Sequence, residues 1–505
     1  MRPVADESRR QRLPLQRTGL WLLAPAVVAL RLPTLSEPRW YSDEGTFTTV
    51  AWLLGNGRRL YGDAFDNSPP GIYWIYRGLL AAGGTASHVA VQGALLLAVM
   101  VSVLLTYLIA RRLDQRLAIP AALVCAVGLS LPTLDGDRLN VELAALPFFL
   151  GALALAGARG RGSAIGSGAL LAAALLTRPS YAFDALAVLL LLVLTPARWS
   201  RLVAAAAAGC AVLAAAALVL ALQGSWDSYL SLVLPDNRAY LLWANGGSLL
   251  PLAARVALLG LIAAVWYRHV AGTPWRLLAI WLPAAVAGAS VTPRGLTHYV
   301  LEAVPALAIG LTALAYRFAR WPRAGSPLAW PASLGALLAL VLAAEAVLIL
   351  PAEEAAFLSR GRPANLYAHS FSYADLPAYY GRWLSGGFDG SLRGFPGPMR
   401  QEMAEARVID GTPSLPRGRL LVLGDRSWIY FLSGREPAVR YVALNSAFRL
   451  VPGGIAELRD ALDSKKARVV VLADAPTGDW RAILATDGYR EVEAKPYPLF
   501  VAASP

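Results

Sequence analysis

From Leu202 to Leu222 the chain runs without a single charged side chain, a stretch of Ala, Leu, Val, Gly and Cys210 ending just before Gln223. A run of about 20 apolar residues is long enough to cross the hydrocarbon core of a bilayer as a helix. The chain repeats such runs. Candidate spans fall at roughly 18–36, 86–110, 117–134, 141–158, 163–178, 181–195, 201–222, 250–267, 275–292, 297–316 and 328–350, about eleven in all. Some are short, and Thr177-Arg178-Pro179-Ser180 between two of them reads as a break or a re-entrant feature. With 56% hydrophobic residues over 505, the pattern predicts a polytopic α-helical membrane protein.

Net charge is +13, and Arg supplies nearly all of the positive side. A basic chain can bind nucleic acid, but here the cations sit in short loops between spans. Arg9, Arg10, Arg12 and Arg17 precede the first span. Arg111, Arg112 and Arg116, then Arg159 and Arg161, then Arg198 and Arg201, then Arg268 and Arg276, then Arg317, Arg320 and Arg323 follow in alternate loops. The positive-inside rule makes these loops cytoplasmic. A multi-pass protein of the inner (plasma) membrane is expected, with its N-terminus in the cytoplasm and membrane lipids, not nucleic acid, around it. Cys125 and Cys210 both lie in apolar runs and read as small buried residues.

The expected organisation is a basic cytoplasmic tail over 1–17, a transmembrane domain over 18–350 with its first outer loop at 37–85, and an extracytoplasmic soluble α/β domain over 351–505. In that last part, Leu420 to Gly424 and Ala467 to Leu472 read as buried strands. Ile455, Leu458 and Leu462 keep helical spacing between them.

The outer loops hold the polar chemistry. Asp43 and Glu44 stand beside Trp40, Tyr41 and Phe47, directly after the first span. A carboxylate there can act as a general base on an acceptor hydroxyl or amine. It can equally cap the following helix. Asp63 fits a Gly-Asp turn, and Asp66, before Pro69-Pro70, can shape the turn or orient a substrate or metal. Arg138, Arg178, Arg238, Arg294 and His298 form an outer cationic set. Arg suits phosphate by its forked donors; snorkelling to head groups is the plainer alternative. Arg138 has Asp137, Asn140 and Glu142 close by for internal pairing, and a lone His298 is a common structural hydrogen-bonding residue. No Cys/His metal cluster, phosphate loop, dinucleotide fingerprint or serine nucleophile motif occurs. A lipid-carried donor therefore fits better than a nucleotide. The residues demand no metal, though a divalent cation near Asp43 and Asp66 is compatible with them.

Tyr41-Ser-Asp-Glu-Gly, Leu60-Tyr-Gly-Asp and Asp66-Asn-Ser-Pro-Pro-Gly-Ile-Tyr together resemble the first outer loop of GT-C glycosyltransferases. The resemblance is to the group of polyprenyl-phosphate-dependent protein mannosyltransferases and aminoarabinose transferases. Thr177-Arg-Pro-Ser and Thr297-His-Tyr-Val are similar to further motifs of that group. The resemblance implies a hexosyl- or pentosyltransferase of the cell envelope that inverts the anomeric centre, with a polyprenyl-phosphate sugar as donor and a lipid, glycan or protein as acceptor. It implies Asp43 as the base with Glu44 beside it. Arg138, Arg178, Arg294, His298, Asp66 and Tyr61 are the expected substrate and donor-phosphate contacts. Where the aminoarabinose transferases carry Glu-Lys before Pro-Pro, this chain has Asn67-Ser68, a departure that bears on a lipid A substrate and on metal binding. A transporter or flippase of a lipid-linked saccharide is the competing expectation. The internal repeats typical of transporters are not evident, and the acidic loop lies at the surface. A third reading, an assembly or sensor protein working through its tail, leaves Asp43 and Glu44 without a task.

Overall fold

The structure, a computed structural model, describes residues 21, 23–32, 39, 41–84, 87–131, 134–292, 297–318, 381–382, 384–386, 400–444, 453–473 and 479–503. Arg294 and the expected span at 328–350 lie outside the described residues. The chain divides into two compact units. One comprises Met1–Leu35, Gln92–Leu213 and Ser248–Ser372; the other comprises Ser36–Val91, Ala214–Gly247 and Tyr373–Pro505.

The first unit is helical. Among the described residues, the helices His88–Leu113, Arg198–Leu222 and Leu250–Val270 are long and apolar enough to cross a membrane. Six more apolar helices run 10–17 residues, among them Val141–Ala156, Arg161–Thr177 and Tyr181–Val193. The apolar runs of the sequence thus become helices, but several are shorter than a membrane is thick. The chemistry of the chain explains where they stop. Helix Arg161–Thr177 ends at Arg178, whose backbone is extended, because the following Pro179 disfavours helical geometry in the residue before it. The next helix starts at Tyr181. The break expected at Thr177–Ser180 is therefore present. Asn140 starts helix Val141–Ala156 by accepting from the Leu143 amide at 2.9 Å, which satisfies one of the free amides of the first turn.

The second unit combines the loop after the first span with a mixed sheet. Helix Ser42–Gly55 carries Asp43 and Glu44 in its first turn, where the positive end of the helix dipole favours negative charge. It ends before Gly57, whose φ of +79° suits only a residue without Cβ. Helix Pro70–Gly83 opens on a proline, tolerated there because the first-turn amides lack intrahelical partners anyway.

The sheet has four strands, β1 (Arg419–Leu423), β2 (Ala467–Leu472), β3 (Tyr489–Glu493) and β4 (Leu499–Ala502), in the order β1-β2-β4-β3. β1 and β2 are parallel and connected through helix Gly454–Asp463; β4 runs antiparallel to both of its neighbours. Leu420 to Leu423 and Val469 to Val471 are fully buried, so the Leu/Val runs pack on both faces as a central parallel pair requires. The two strands and the helix between them match the elements legible in the sequence.

Candidate active site

Each unit brings polar side chains of the expected set together. In the second unit, the two acidic residues of the first turn diverge. Asp43 is exposed and accepts a hydrogen bond from the Tyr41 hydroxyl at 3.1 Å. Glu44 is buried and lies beside the Tyr76 hydroxyl, raising its pKa together with burial, which is the larger cause. One turn of helix thus presents one carboxylate to solvent and folds the other beneath it.

That turn is held from the far end of the chain. The Trp428 indole donates to the Tyr41 carbonyl at 3.0 Å, Thr46 Oγ1 and Ser427 Oγ share a hydrogen bond of 2.8 Å, and Thr49 donates to the Ser427 carbonyl at 2.8 Å. A Cβ on Gly45 would come within 2.7 Å of the Trp428 ring, so glycine is what lets the ring sit on the helix. Arg39 stacks over the same indole, 5.8 Å from its centroid.

Tyr61 and Asp66 lie in the same unit. The Tyr61 hydroxyl donates to the Ser68 carbonyl at 2.9 Å, and the Tyr73 hydroxyl donates to Asp66. Asp66 also accepts from the Ser68 amide at 3.3 Å, the turn-forming role that its place before Pro-Pro suggests. Tyr61 itself has a left-handed backbone, φ +64°, a strained setting for an aromatic residue. Phe47 packs on Tyr73 at 6.0 Å and on Tyr76 at 5.7 Å, joining the Asp66 loop to the helix of Asp43. Asp236, which sequence reasoning passed over, is buried here. Burial, with the nearby charge of Asp66, pushes its carboxyl up to about 6 against the opposing hydrogen bond from Asn67.

The first unit assembles three of the five outer cations, Arg138, Arg178 and His298, into one buried network; Arg238 belongs to the second unit. Asp135 pairs with Arg138 and accepts from His298 Nδ1 at 3.0 Å. Burial opposes its ionisation, yet Arg138 and His298 hold its carboxyl below the ordinary range. Arg178 pairs with Glu142 and, at 2.8 Å, with Glu302; Glu302 also accepts from Ser180 at 2.6 Å. His298 Nε2 lies 3.9 Å from Glu142, linking the two halves. The Arg178 guanidinium also stacks on Tyr299, 4.9 Å from the ring centroid. The internal pairing open to Arg138 from sequence is realised, through Asp135 and Asp137. Glu302 and Asp135 were missed, although a carboxylate inside or beside an apolar run is itself a signal for a buried ionic partner. Among the described residues no cluster of three or more His, Cys, Asp or Glu side chains is arranged to hold a metal ion.

Comparison with known proteins places this architecture. The chain superposes on ArnT from Cupriavidus metallidurans bound to undecaprenyl phosphate with a TM-score of 0.55 at 16% identity, covering 95% of this chain and 98% of that one. The apo state of the same protein gives 0.51 at 17% identity, covering 97% of this chain and 100% of that one. The fold is therefore like that of ArnT, with several apolar helices. Residues 67–226 match the family model of dolichyl-phosphate-mannose-protein mannosyltransferases. Together these bear out the resemblance to the mannosyltransferase and aminoarabinose transferase group. No curated protein sequence matches the chain.

Proposed function

We propose that this protein is an integral-membrane glycosyltransferase that moves a monosaccharide from a polyprenyl-phosphate donor to a cell-envelope acceptor on the outer face of the membrane, with inversion. The observation that carries the reading is the split of the first acidic turn: an exposed Asp43, steadied by Tyr41, above a buried Glu44. The fold likeness to ArnT bound to undecaprenyl phosphate and the family match over 67–226 support it.

In this mechanism Asp43 takes the proton of the acceptor hydroxyl. The acceptor oxygen attacks the anomeric carbon from the face opposite the phosphate, the bond from that carbon to the phosphate oxygen breaks, and polyprenyl phosphate leaves. A single base suffices, because one displacement with inversion needs no covalent sugar–enzyme intermediate. Cationic donors offset the charge that develops on the leaving oxygen. Arg294, Arg138, Arg178 and His298 fill that role, with Tyr61 and Asp66 shaping the loop on the sugar side. Arg178 is already paired with Glu142 through Nη1 and with Glu302 through Nε, so it would meet the phosphate with its remaining donors. The loops that carry Arg111, Arg159, Arg198 and Arg317 face the cytoplasm.

The test uses the full chain in nanodiscs with a panel of polyprenyl-phosphate monosaccharides and envelope extract. Release of polyprenyl phosphate that disappears in Asp43→Asn, together with an inverted anomeric centre in the product, is expected. Donors that bind but are never turned over, or turnover that survives in Asp43→Asn, would overturn the reading.

A further inference from the structure

An open cavity of about 350 Å3 lies wholly within the second unit, between the Arg58–Asp63 segment and the edge of the sheet. That volume lies within the range of about 300–1,000 Å3 usual for small-ligand sites, but the lining is polar and strongly cationic. Three of its arginines are held by carboxylates. Arg58 pairs with Glu436, Arg59 with Asp63 at 3.0 Å, and Arg440 with Glu457 at 2.8 Å. Each guanidinium has five N–H donors, so a pair with one carboxylate leaves donors over while fixing the orientation of the group.

Two further cations on the wall have no such partner. Arg419 opens β1, and Lys466 immediately precedes Ala467, the residue of β2 that pairs with Arg419 across the parallel ladder. Among the described residues no carboxylate forms an ion pair with either. Both add positive charge to one wall, whose lining carries more Arg and Lys than Asp and Glu, and like charges gathered on one wall repel. The arrangement is unfavourable when empty and is relieved by an anion. The leftover guanidinium donors point to a planar or tetrahedral oxyanion, and a cavity of about 350 Å3 has room for a sugar ring beside it, with the Asp63, Glu436 and Glu457 carboxylates and Ser228 on the wall to meet its hydroxyls.

We propose that this cavity binds an anionic saccharide, a sugar bearing phosphate or carboxylate, as the polar part of the acceptor. The acceptor role rests on the transferase reading; the binding does not, and it is measured without any donor. A chain that fails to transfer sugar can therefore still pass this test, and one that transfers can still fail it.

The experiment is calorimetric titration of the full chain in zwitterionic nanodiscs with glucose 6-phosphate, glucuronate, glucose and inorganic phosphate. The expected result is that a charged sugar binds and glucose does not. Arg419→Gln and Lys466→Gln, checked for an unchanged melting temperature, should each weaken binding by about tenfold, and added salt should weaken it further. If Arg419→Gln does not fold, Lys466→Gln decides. Binding of glucose as tight as that of the charged sugars, affinity unchanged in the folded variants, or no binding at all overturns the proposal. So does inorganic phosphate binding as tightly as the sugar phosphate. Loss of sugar binding when the nanodisc contains anionic lipid assigns the cavity to a head group and overturns it as well.

Discussion

The indole N–H of Trp428 donates to the carbonyl oxygen of Tyr41 at 3.0 Å. Tyr41 is the residue from which helix Ser42–Gly55 starts, and its hydroxyl is also the donor to Asp43. One aromatic side chain therefore fixes the backbone that aims the proposed base.

Trp428→Phe keeps most of the ring and removes that bond. The Tyr41 carbonyl keeps its bond from the Gly45 amide at 3.0 Å, so the change removes one hydrogen bond, worth about 0.5–1.5 kcal/mol. Turnover should fall while donor affinity stays near that of the parent. Gly45→Ala attacks the same contact from the other side, since its Cβ would meet the indole at 2.7 Å, and overpacking of this kind costs about 1–3 kcal/mol. Thermal melts alongside steady-state kinetics check both; a Trp428→Phe protein with unaltered turnover removes the indole from the aiming of Asp43.

Asp43→Asn should fold as the parent does, because the side chain is exposed, and should lose about 10²–10⁴-fold in turnover, the range for a missing general base. Glu44→Gln should behave differently. Its carboxyl is buried, so the change should appear first in the melting temperature. Equal kinetic losses in the two variants would erase the division of labour between the neighbours.

Glu302→Gln removes one of the two carboxylates that balance Arg178. Breaking a buried ion pair from one side costs about 3–5 kcal/mol. Arg178→Gln strands both Glu142 and Glu302 and should cost more than Glu302→Gln, which leaves Arg178 its partner Glu142; adding Glu302→Gln to Arg178→Gln should recover part of the larger loss, since Glu142 alone is then without its guanidinium. A double variant as unstable as the sum of the singles would show that the pair is not coupled.

Glu405 offers a pH dependence that is independent of catalysis. Burial pushes its carboxyl up to about 7, against the hydrogen bond from the Tyr497 amide and with a smaller push from Glu493. The folded protein holds a proton that the unfolded chain has released, so stability declines as pH rises from about 4.5 to about 7 and then levels off. Glu405→Gln should flatten that slope. Hydrogen exchange at the Tyr497 amide across the window is the measurement, and an unchanged slope in the variant would assign the titration to another group.

Much of the fold was legible because apolar run length and strand alternation are local signals. Leu420–Gly424 and Ala467–Leu472 became β1 and β2 within a residue at each end, and the Arg-Pro pair at 178–179 ended its helix. Helix length was less legible. Hydropathy reports burial and does not separate a helix packed inside protein from one that faces lipid. Tyr181–Val193 is as apolar as a span and too short to be one by itself. The candidate site was half legible. Asp43, Glu44, Arg138, Arg178 and His298 announce themselves by residue type at the ends of apolar runs. Nothing local marks Trp428 or Ser427 as supports of the Tyr41 turn, nor Glu302 as the counter-ion of Arg178, because those pairings are made between residues more than a hundred positions apart.

The hydrogen bond between Thr46 and Ser427 spans 381 positions. During synthesis, the acidic turn leaves the ribosome long before the residues that clamp it exist. Every intervening helix has to be inserted first. The turn thus stays unclamped throughout biogenesis, and the chain gains a rigid first outer loop only when its last third has been translated.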